Sequence, residues 1–387
     1  MKKIIIIVVG IILVAAVFFF LKATEFYKKI YTPNFLKKAQ EKTSYNILLF
    51  GYGGGIHEGA FLTDTIMIVH VDLKTKRASL FSVPRDLWVK LPTKSGADFH
   101  IKINGLYQLE RGETGDISQL YPDLDQSHFG VKEDAEFTKY ILSQSFGLPI
   151  DNYVAIDFEG FKKVTDVLGG VDVNVLKSFE DPEYPIDGKE KDLCDKDIEN
   201  LFKKAEPFLK PSYNPVDRDK IFKEDPKTEE FVKNATDSPE LAFPCRYEKL
   251  EFKKGMTHMD GATALKYVRS RHSLQDGSDF GRSARQQQLM KAIKDKILSI
   301  GFIPKIIPLL DELGNHVKTD FSLDDMKKFV SFANTVKDYQ LVTYVISDQN
   351  LLMYSWSNDG QSILVPKAGV DQWTNFQSSV KNITELK

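Results

Sequence analysis

The chain has 387 residues, of which 42% are hydrophobic and 27% charged, and its formal charge is −2. That length suits one large domain with an insertion, or two domains. The charge balance offers no basic face for nucleic acid. Two cysteines, Cys194 and Cys245, exclude a disulfide-dense scaffold and a four-cysteine zinc site.

The first predicted element is apolar. After Met1-Lys2-Lys3, residues 4–21 read IIIIVVGIILVAAVFFFL without a charge. As a helix this run would be about 27 Å long, close to the hydrocarbon thickness of a bilayer. Phe18-Phe19-Phe20-Leu21 leads directly into Lys22, with no small-residue cleavage site, so an uncleaved transmembrane anchor is expected. Residues 1–3 would be a cytoplasmic tail. Lys2 and Lys3 favour an inside N-terminus, which places the remaining chain outside the cytoplasm in a single-pass arrangement. Residues 22–45 are basic and broken by Pro33, and read as a juxtamembrane stalk able to approach membrane lipid headgroups.

From Asn46 strands and helices alternate. NILLF, TIMIVHV and ASLFSV are strands by their β-branched and aromatic content. Residues 134–147, with Phe137, Ile141 and Phe146 at helical spacing, form a helix. YVAID is a strand, and FEGFKKVTDVLGG a helix capped by Asp157 and stopped at Gly169-Gly170. VDVNV is another strand. Residues 178–248 are rich in Asp, Glu, Lys and Pro and read as a surface insertion holding both cysteines. Outside the cytoplasm these two are able to pair, but the spacing alone leaves the pairing open. MDGATALKYVRSRH and SARQQQLMKAIKDKIL follow as helices, the second with Leu289, Ile293 and Ile297 on one face. Residues 300–387 add a helix, SLDDMKKFVSFAN, and strands YQLVTYVI and SILVP. The expected fold is α/β, with a mixed central sheet flanked by helices in α-β-α layers and preceded by one transmembrane helix. The main domain spans 46–299, with 300–387 an α/β extension of it.

The glycine-rich stretch after the first strand, GYGGGIHEG, is not a phosphate loop of the nucleotide-binding kind. No Gly-Lys-Ser/Thr follows it, and the next element is a strand rather than a helix N-terminus. Three other stretches combine charge with apolar surroundings. In LTDT, Asp64 stands where loop turns into strand. In SVPRDLWVKLP, Pro84 ends a strand, leaving Arg85 and Asp86 at its C-terminal end, where open α/β sheets bind ligands. In YVRSRHSLQDGSDFGRSARQQQ, Arg269, Arg271, Arg282 and Arg285 fall within seventeen residues, and Gln286 follows Arg282 by one helical turn. Guanidinium groups suit phosphate oxygens, and a helix start favours an anion. No nucleophile elbow, H-E-x-x-H motif or Cys-His pair is present. The residues by themselves describe an arginine-lined anion site on a membrane-anchored, extracytoplasmic α/β domain.

Taken in order, NILLFG, LTDTIMIVHVD, LFSVPRDLWVKLP, KINGLY, DNYVAIDFEGFKKVTDVLGGVDVNV and GMTHMDGATALKYVRSRH…SDFGRSARQQQ resemble the LytR-CpsA-Psr family of cell-wall ligases, over 46–176 and 250–298. The resemblance implies a phosphotransferase. It would move a glycopolymer from a polyprenyl-pyrophosphate carrier to a hydroxyl of peptidoglycan or another cell-surface acceptor, forming a phosphodiester. It implies pyrophosphate contacts from Arg85, Arg269, Arg271, Arg282 and Gln286, with Lys102 a weaker candidate. Asp64 would hold a metal, Mg²⁺ or Mn²⁺, and Arg85 and Asp64 would be the catalytic pair. Such chemistry needs charge neutralisation and alignment rather than a protein nucleophile.

The chain departs from the family pattern twice. Leu62 stands where an arginine is usual, and the turn Gly51-Tyr52-Gly53 lacks the family's second metal-binding aspartate. His57 and Glu58, delivered by the glycine loop, are the candidates to replace that ligand. Imidazole is an atypical Mg²⁺ ligand, which favours Glu58 for the metal and His57 for the donor. Two alternatives share these residues: a hydrolase acting on the same pyrophosphate, and a non-catalytic envelope protein that only binds or regulates. Phe137, Ile141, Phe158 and Phe161 would line a lipid tunnel or simply form core.

Overall fold

The computed structural model describes residues 22, 24–25, 27–31, 42–55, 59–111, 117–129, 135–209, 225–300, 313–322, 325 and 339–385. The expected anchor, 4–21, lies outside them, as does most of the expected helix at 322–334. No helix among the described residues is long and apolar enough to cross a membrane. The chain divides into two compact units. The first runs to Val173 and resumes over His258–Val268 and from Ser283 onward; the second comprises Asn174–Thr257 and Arg269–Arg282.

The first unit is built on a mixed six-stranded sheet. Its strands are β1 (Ser44–Tyr52), β2 (Thr63–Asp72), β3 (Arg77–Ser82), β6 (Asn152–Asp157), β11 (Val317–Thr319) and β12 (Gln340–Val345), in the order β11-β6-β1-β2-β3-β12. β1, β2 and β3 form an antiparallel meander, while β6 joins β1 and β12 joins β3 in parallel. Both edge strands come from the last quarter of the chain, so that quarter completes this sheet. A short pair, β4 (Trp88–Lys90) with β5 (His100–Lys102), follows β3.

Burial on both faces of β1 explains its near-continuous apolar sequence. Phe50 lies 4.5 Å from the Tyr107 ring of α1 (Leu106–Arg111) and 5.8 Å from Tyr153 on β6. On the other face Tyr45 and Ile47 cluster with Phe321. Each large side chain so buried contributes about 1.5–3 kcal/mol. Helices flank the sheet: α2 (Glu136–Phe146), α3 (Phe158–Val167), α6 (Gly261–Arg269), α7 (Asp279–Ile300) and α8 (Thr374–Glu385). Their starts are satisfied by carboxylates. Asp157 Oδ1 accepts from Gly160 N at 2.8 Å to cap α3, and Asp260 accepts from Thr263 N at 2.7 Å beside α6. Glu110, buried in α1, accepts from Phe137 N and Thr138 N at the start of α2. Gly169 and Gly170, at φ of 72° and 74°, end α3 as its sequence predicts. Phe137 and Ile141 are buried at 0% and 3% exposure, while Phe158 and Phe161 are only half-buried. Helix α8 has no counterpart among the elements read from the sequence. Its polar run NFQSSVKN hides an apolar stripe, Phe376 and Val380, and Phe376 packs edge-on against Phe146 of α2 at 4.9 Å.

The second unit contains the segment expected as a surface insertion, and it has a core of its own. β8 (Phe179–Pro185) pairs antiparallel with β9 (Tyr247–Phe252). Helices α4 (Lys196–Ala205) and α5 (Pro226–Asp237) close on Ala205, Phe231, Val232, Ala242 and Phe243. That core rests on scattered phenylalanines rather than on aliphatic runs, which is why periodicity did not show it. Cys194 and Cys245 are joined in a disulfide that spans 51 residues of sequence. Strands β7 (Val171–Val175) and β10 (Gly255–Met259), paired with each other, carry the chain out of the first unit and back.

Candidate active site

In the first unit the meander brings two of the predicted motifs together. β2 begins at Thr63 just as β3 ends at Ser82, so the start of one strand lies beside the exit of the other. Pro84 stops β3, and the next residue, Arg85, reaches back across the strand ends. Its Nη1 donates to Asp64 Oδ1 at 2.7 Å. Asp86 in turn accepts the Lys102 ammonium at 2.8 Å and lies 3.8 Å from Arg85 Nε. Asp64, Arg85, Asp86 and Lys102 thus form an alternating row of charges, each side chain between 21% and 36% exposed. Such a row is partly desolvated yet open to a ligand, and an arriving anion can compete with the carboxylates for the cations.

Gln286 of α7 donates through Nε2 to Thr65 Oγ1 at 2.7 Å, and Gln287 donates to Ser82 Oγ at 2.9 Å. These bonds fix the helix to the two strand ends that carry Asp64 and Arg85. Arg285, the fourth arginine of the cluster, has another role. It is 2% exposed and donates through Nε to the carbonyl of Tyr267, tying α7 to α6.

The glycine loop also acquires a shape. Gly54, at φ +75°, lies so close to Asp157 that a Cβ would come within 3.0 Å of the aspartate Cβ. Only glycine combines that backbone with that approach. The loop therefore folds over the carboxylate that caps α3 and that also receives His316 Nδ1 at 2.8 Å. His57 and Glu58, named as substitute ligands, lie outside the described residues.

In the second unit the remaining arginines gather around carboxylates. Arg271 Nε and Arg282 Nη2 lie 3.0 and 3.1 Å from the same oxygen, Asp279 Oδ1. Two guanidinium groups thus share one carboxylate at the start of α7, where the helix dipole favours negative charge. Arg269 pairs with Asp187 at 3.2 Å and lies over the ring of Tyr184, whose hydroxyl burial pushes up to about 12. The backbone between the arginines is held by Asp181, which is fully buried on β8. Its Oδ2 accepts from Ser270 Oγ at 2.6 Å, Arg271 N at 3.1 Å and His272 N at 3.2 Å. Asp279 is visible in the sequence as one of two aspartates between the arginines, with no role assigned, whereas Asp181 is not singled out at all. Asp181 lies in the stretch read as an insertion, and nothing local marks it as the support of a motif ninety residues away.

Two groups of three ligand-type side chains bring their atoms within 4.8 Å among the described residues: Asp98, His100 and Asp371, and Asp192, Cys194 and Cys245. In the second the cysteines are bonded to each other. In the first, His100 Nε2 lies 3.0 Å from Asp371 and Nδ1 3.6 Å from Asp98, so the ring stands between two carboxylates. Asp64 belongs to neither group. A single carboxylate still fits Mg²⁺, which takes one or two protein carboxylates and completes its shell with substrate phosphates and water.

The first unit is thus a mixed α/β fold with a row of alternating arginine, lysine and aspartate charges at its strand ends. The chain belongs to the LytR_cpsA_psr (LytR-CpsA-Psr) family, whose pattern matches residues 14–377. Among its relatives is the polyisoprenyl-teichoic acid–peptidoglycan teichoic acid transferase TagV of Bacillus subtilis (strain 168), 26% identical over 286 residues, 74% of this chain and 52% of the relative. The chain therefore spans about half the length of that relative. The corresponding transferase TagU of Enterococcus faecalis is 23% identical over 91% of this chain and 84% of its own length. The crystal structure of B. subtilis TagV superposes with a TM-score of 0.53 at 21% identity, covering 90% of this chain and all of that one, and supports the fold. A Streptococcus agalactiae protein superposes with a TM-score of 0.55 at 16% identity, covering 89% of each chain.

Proposed function

We propose that the protein is a membrane-anchored phosphotransferase that moves a glycopolymer from a polyprenyl-pyrophosphate carrier to a hydroxyl of peptidoglycan or another cell-wall acceptor. The observation that carries this reading is the Arg85–Asp64 pair at the strand ends, with Gln286 bonded to the residue after Asp64. Residues separated by two hundred positions in the sequence meet at one point, and all match family motifs. The transferase names of TagV and TagU support the same reading.

In this reading Arg85 grips the pyrophosphate, and contacts to it are assigned also to Lys102, Gln286, Arg269, Arg271 and Arg282. The acceptor hydroxyl forms a new P–O bond to the phosphorus that bears the sugar. The P–O bond to polyprenyl phosphate breaks, and the hydroxyl proton passes to solvent. Arg85 neutralises charge that builds on the transferring group, in a setting where fixed donors outperform water. Asp64 would hold Mg²⁺ or Mn²⁺, with Glu58 and His57 as its candidate companions. The metal would supply further charge neutralisation on the leaving phosphate. Residues 4–21 would anchor the protein with its N-terminus inside and the catalytic region outside the cytoplasm.

Incubation with a labelled prenyl-pyrophosphate-linked glycan, with and without peptidoglycan, tests the proposal. Transfer predicts a phosphodiester-linked product only when acceptor is present, and Arg85→Ala should reduce its rate by about 10²–10³-fold. Arg85→Lys should not restore it, because an ammonium lacks the planar fork. Release of glycan phosphate and polyprenyl phosphate at the same rate without acceptor would identify a hydrolase. The loss of the family's usual arginine at Leu62 and aspartate at Gly53 favours a binding protein as the second reading; tight donor binding with no turnover would establish it.

A further inference from the structure

Beside the charged row stands a hairpin that none of the motifs covers. β13 (Leu352–Trp356) and β14 (Ser362–Pro366) pair antiparallel, with Tyr354 opposite Leu364 and Trp356 opposite Ser362. The hairpin adjoins the Arg85 segment directly. Leu364 N donates to the carbonyl of Asp86 at 3.0 Å, and Leu364 bridges to Leu87. β14 is therefore one strand spacing from residues 86–87, and β13 two spacings, about 10 Å. Hydrogen bonds from Ser357 and Gln361 hold the Asp359 carboxyl below the usual range, and the Lys102 charge adds to that effect.

Tyr354 and Trp356 alternate on one face of β13, at 58% and 73% exposure. Aromatic rings this large are seldom left so open. They are rigid and amphipathic, able to cover an apolar face while polar neighbours make hydrogen bonds. Those neighbours are present in the turn: Asp359 and Gln361, the latter donating to Asp359 at 2.6 Å. Rings beside hydrogen-bonding side chains suit a saccharide, which has C–H faces and a hydroxyl rim. A purely lipid surface would not use the carboxylate and amide.

We infer that Tyr354 and Trp356 form a stacking platform for the sugar of the donor glycopolymer nearest its pyrophosphate. The inference rests on the function proposed above. The donor is the occupant because its first sugar is covalently attached to the phosphate gripped by the adjoining row, and so must lie beside it. The acceptor glycan has no such tether.

The test compares two soluble probes on the full chain: geranyl pyrophosphate, and the same compound carrying N-acetylglucosamine on its terminal phosphate. Binding is measured by calorimetry in Mg²⁺. The wild type should bind the sugar-bearing probe about three- to tenfold more tightly than the bare one. Trp356→Ala and Tyr354→Ala should each remove most of that advantage while leaving bare geranyl pyrophosphate unchanged, and Trp356→Phe should keep part of it. Equal affinities of the wild type for both probes would overturn the platform, and so would a loss in the variants that affects both probes alike. A variant-sensitive response to soluble N-acetylglucosamine oligomers, with no sugar advantage on the pyrophosphate probe, would overturn the donor assignment in favour of the acceptor. Failure of the wild type to bind either probe would overturn the pyrophosphate reading itself.

Discussion

Arg85 and Asp181 show two ways in which one residue serves the site. Arg85 sits at a strand end because Pro84, lacking an N–H, cannot continue the ladder, and its reach to Asp64 follows from the antiparallel pairing of β2 with β3. Asp181 touches no proposed ligand. It accepts three hydrogen bonds from Ser270, Arg271 and His272, and so sets the backbone from which Arg271 projects. Asp181→Asn puts an amide donor or a neutral oxygen where buried donors converge, at a cost of about 1–3 kcal/mol. The expected outcome is a lower urea midpoint together with weaker binding of inorganic pyrophosphate. Retained pyrophosphate affinity would show that Asp181 supports the fold alone.

At the scale of elements, polar pairs inside the sheet determine how β1 and β2 hold together. Asn46 lies opposite His70, and His70 Nδ1 lies 2.7 Å from Asn46 Oδ1. The Asn46 amide donates elsewhere, to Pro149 O. The imidazole is therefore the donor through Nδ1. Burial pushes its pKa below the ordinary value, against the raising charges of Asp72 and Asp151. The unfolded chain then takes up a proton at a higher pH than the folded chain. Stability should fall as pH drops through about 6.5, and His70→Gln should flatten that part of the profile. Thermal melts of both proteins between pH 7.5 and 5 check this, and parallel profiles would refute it. The same elements show what the sequence offered. Asp157 as a cap and Gly169-Gly170 as a stop were readable because capping is local chemistry. Helix α8 was not, since its apolar stripe is only two or three residues and acquires meaning from Phe146, far away in the chain.

At the scale of the molecule, each unit has its own means of stability. The first relies on a sheet buried on both faces. The second has a small aromatic core and one covalent tie, the Cys194–Cys245 disulfide. Closing a loop of that length removes chain entropy worth about 4 kcal/mol from the unfolded state. The paired variant Cys194→Ala/Cys245→Ala should accelerate hydrogen exchange in α4 and α5 and leave protection in β1 and β2 unchanged. Equal protection of α4 and α5 in both proteins would show that the aromatic core suffices.

The sequence by itself determined the mixed α/β class, the strands of the sheet's centre, the cap and stop of α3, and the motif residues Asp64, Arg85, Gln286 and the arginines. These follow from periodicity, caps and short patterns, which act over a few residues. Only the tertiary structure decided that Arg85 bonds Asp64, that Arg285 is buried while Arg282 shares Asp279 with Arg271, and that the last quarter of the chain supplies both sheet edges. It likewise decided that the insertion has a core, that the cysteines are joined, and that an aromatic hairpin stands beside the charged row. The physical reason is the same in each case. Apart from Arg282 and Asp279, one helical turn apart, the partners in these contacts belong to different elements, and the burial, charge neutralisation and chain closure that select them exist only once the chain has folded.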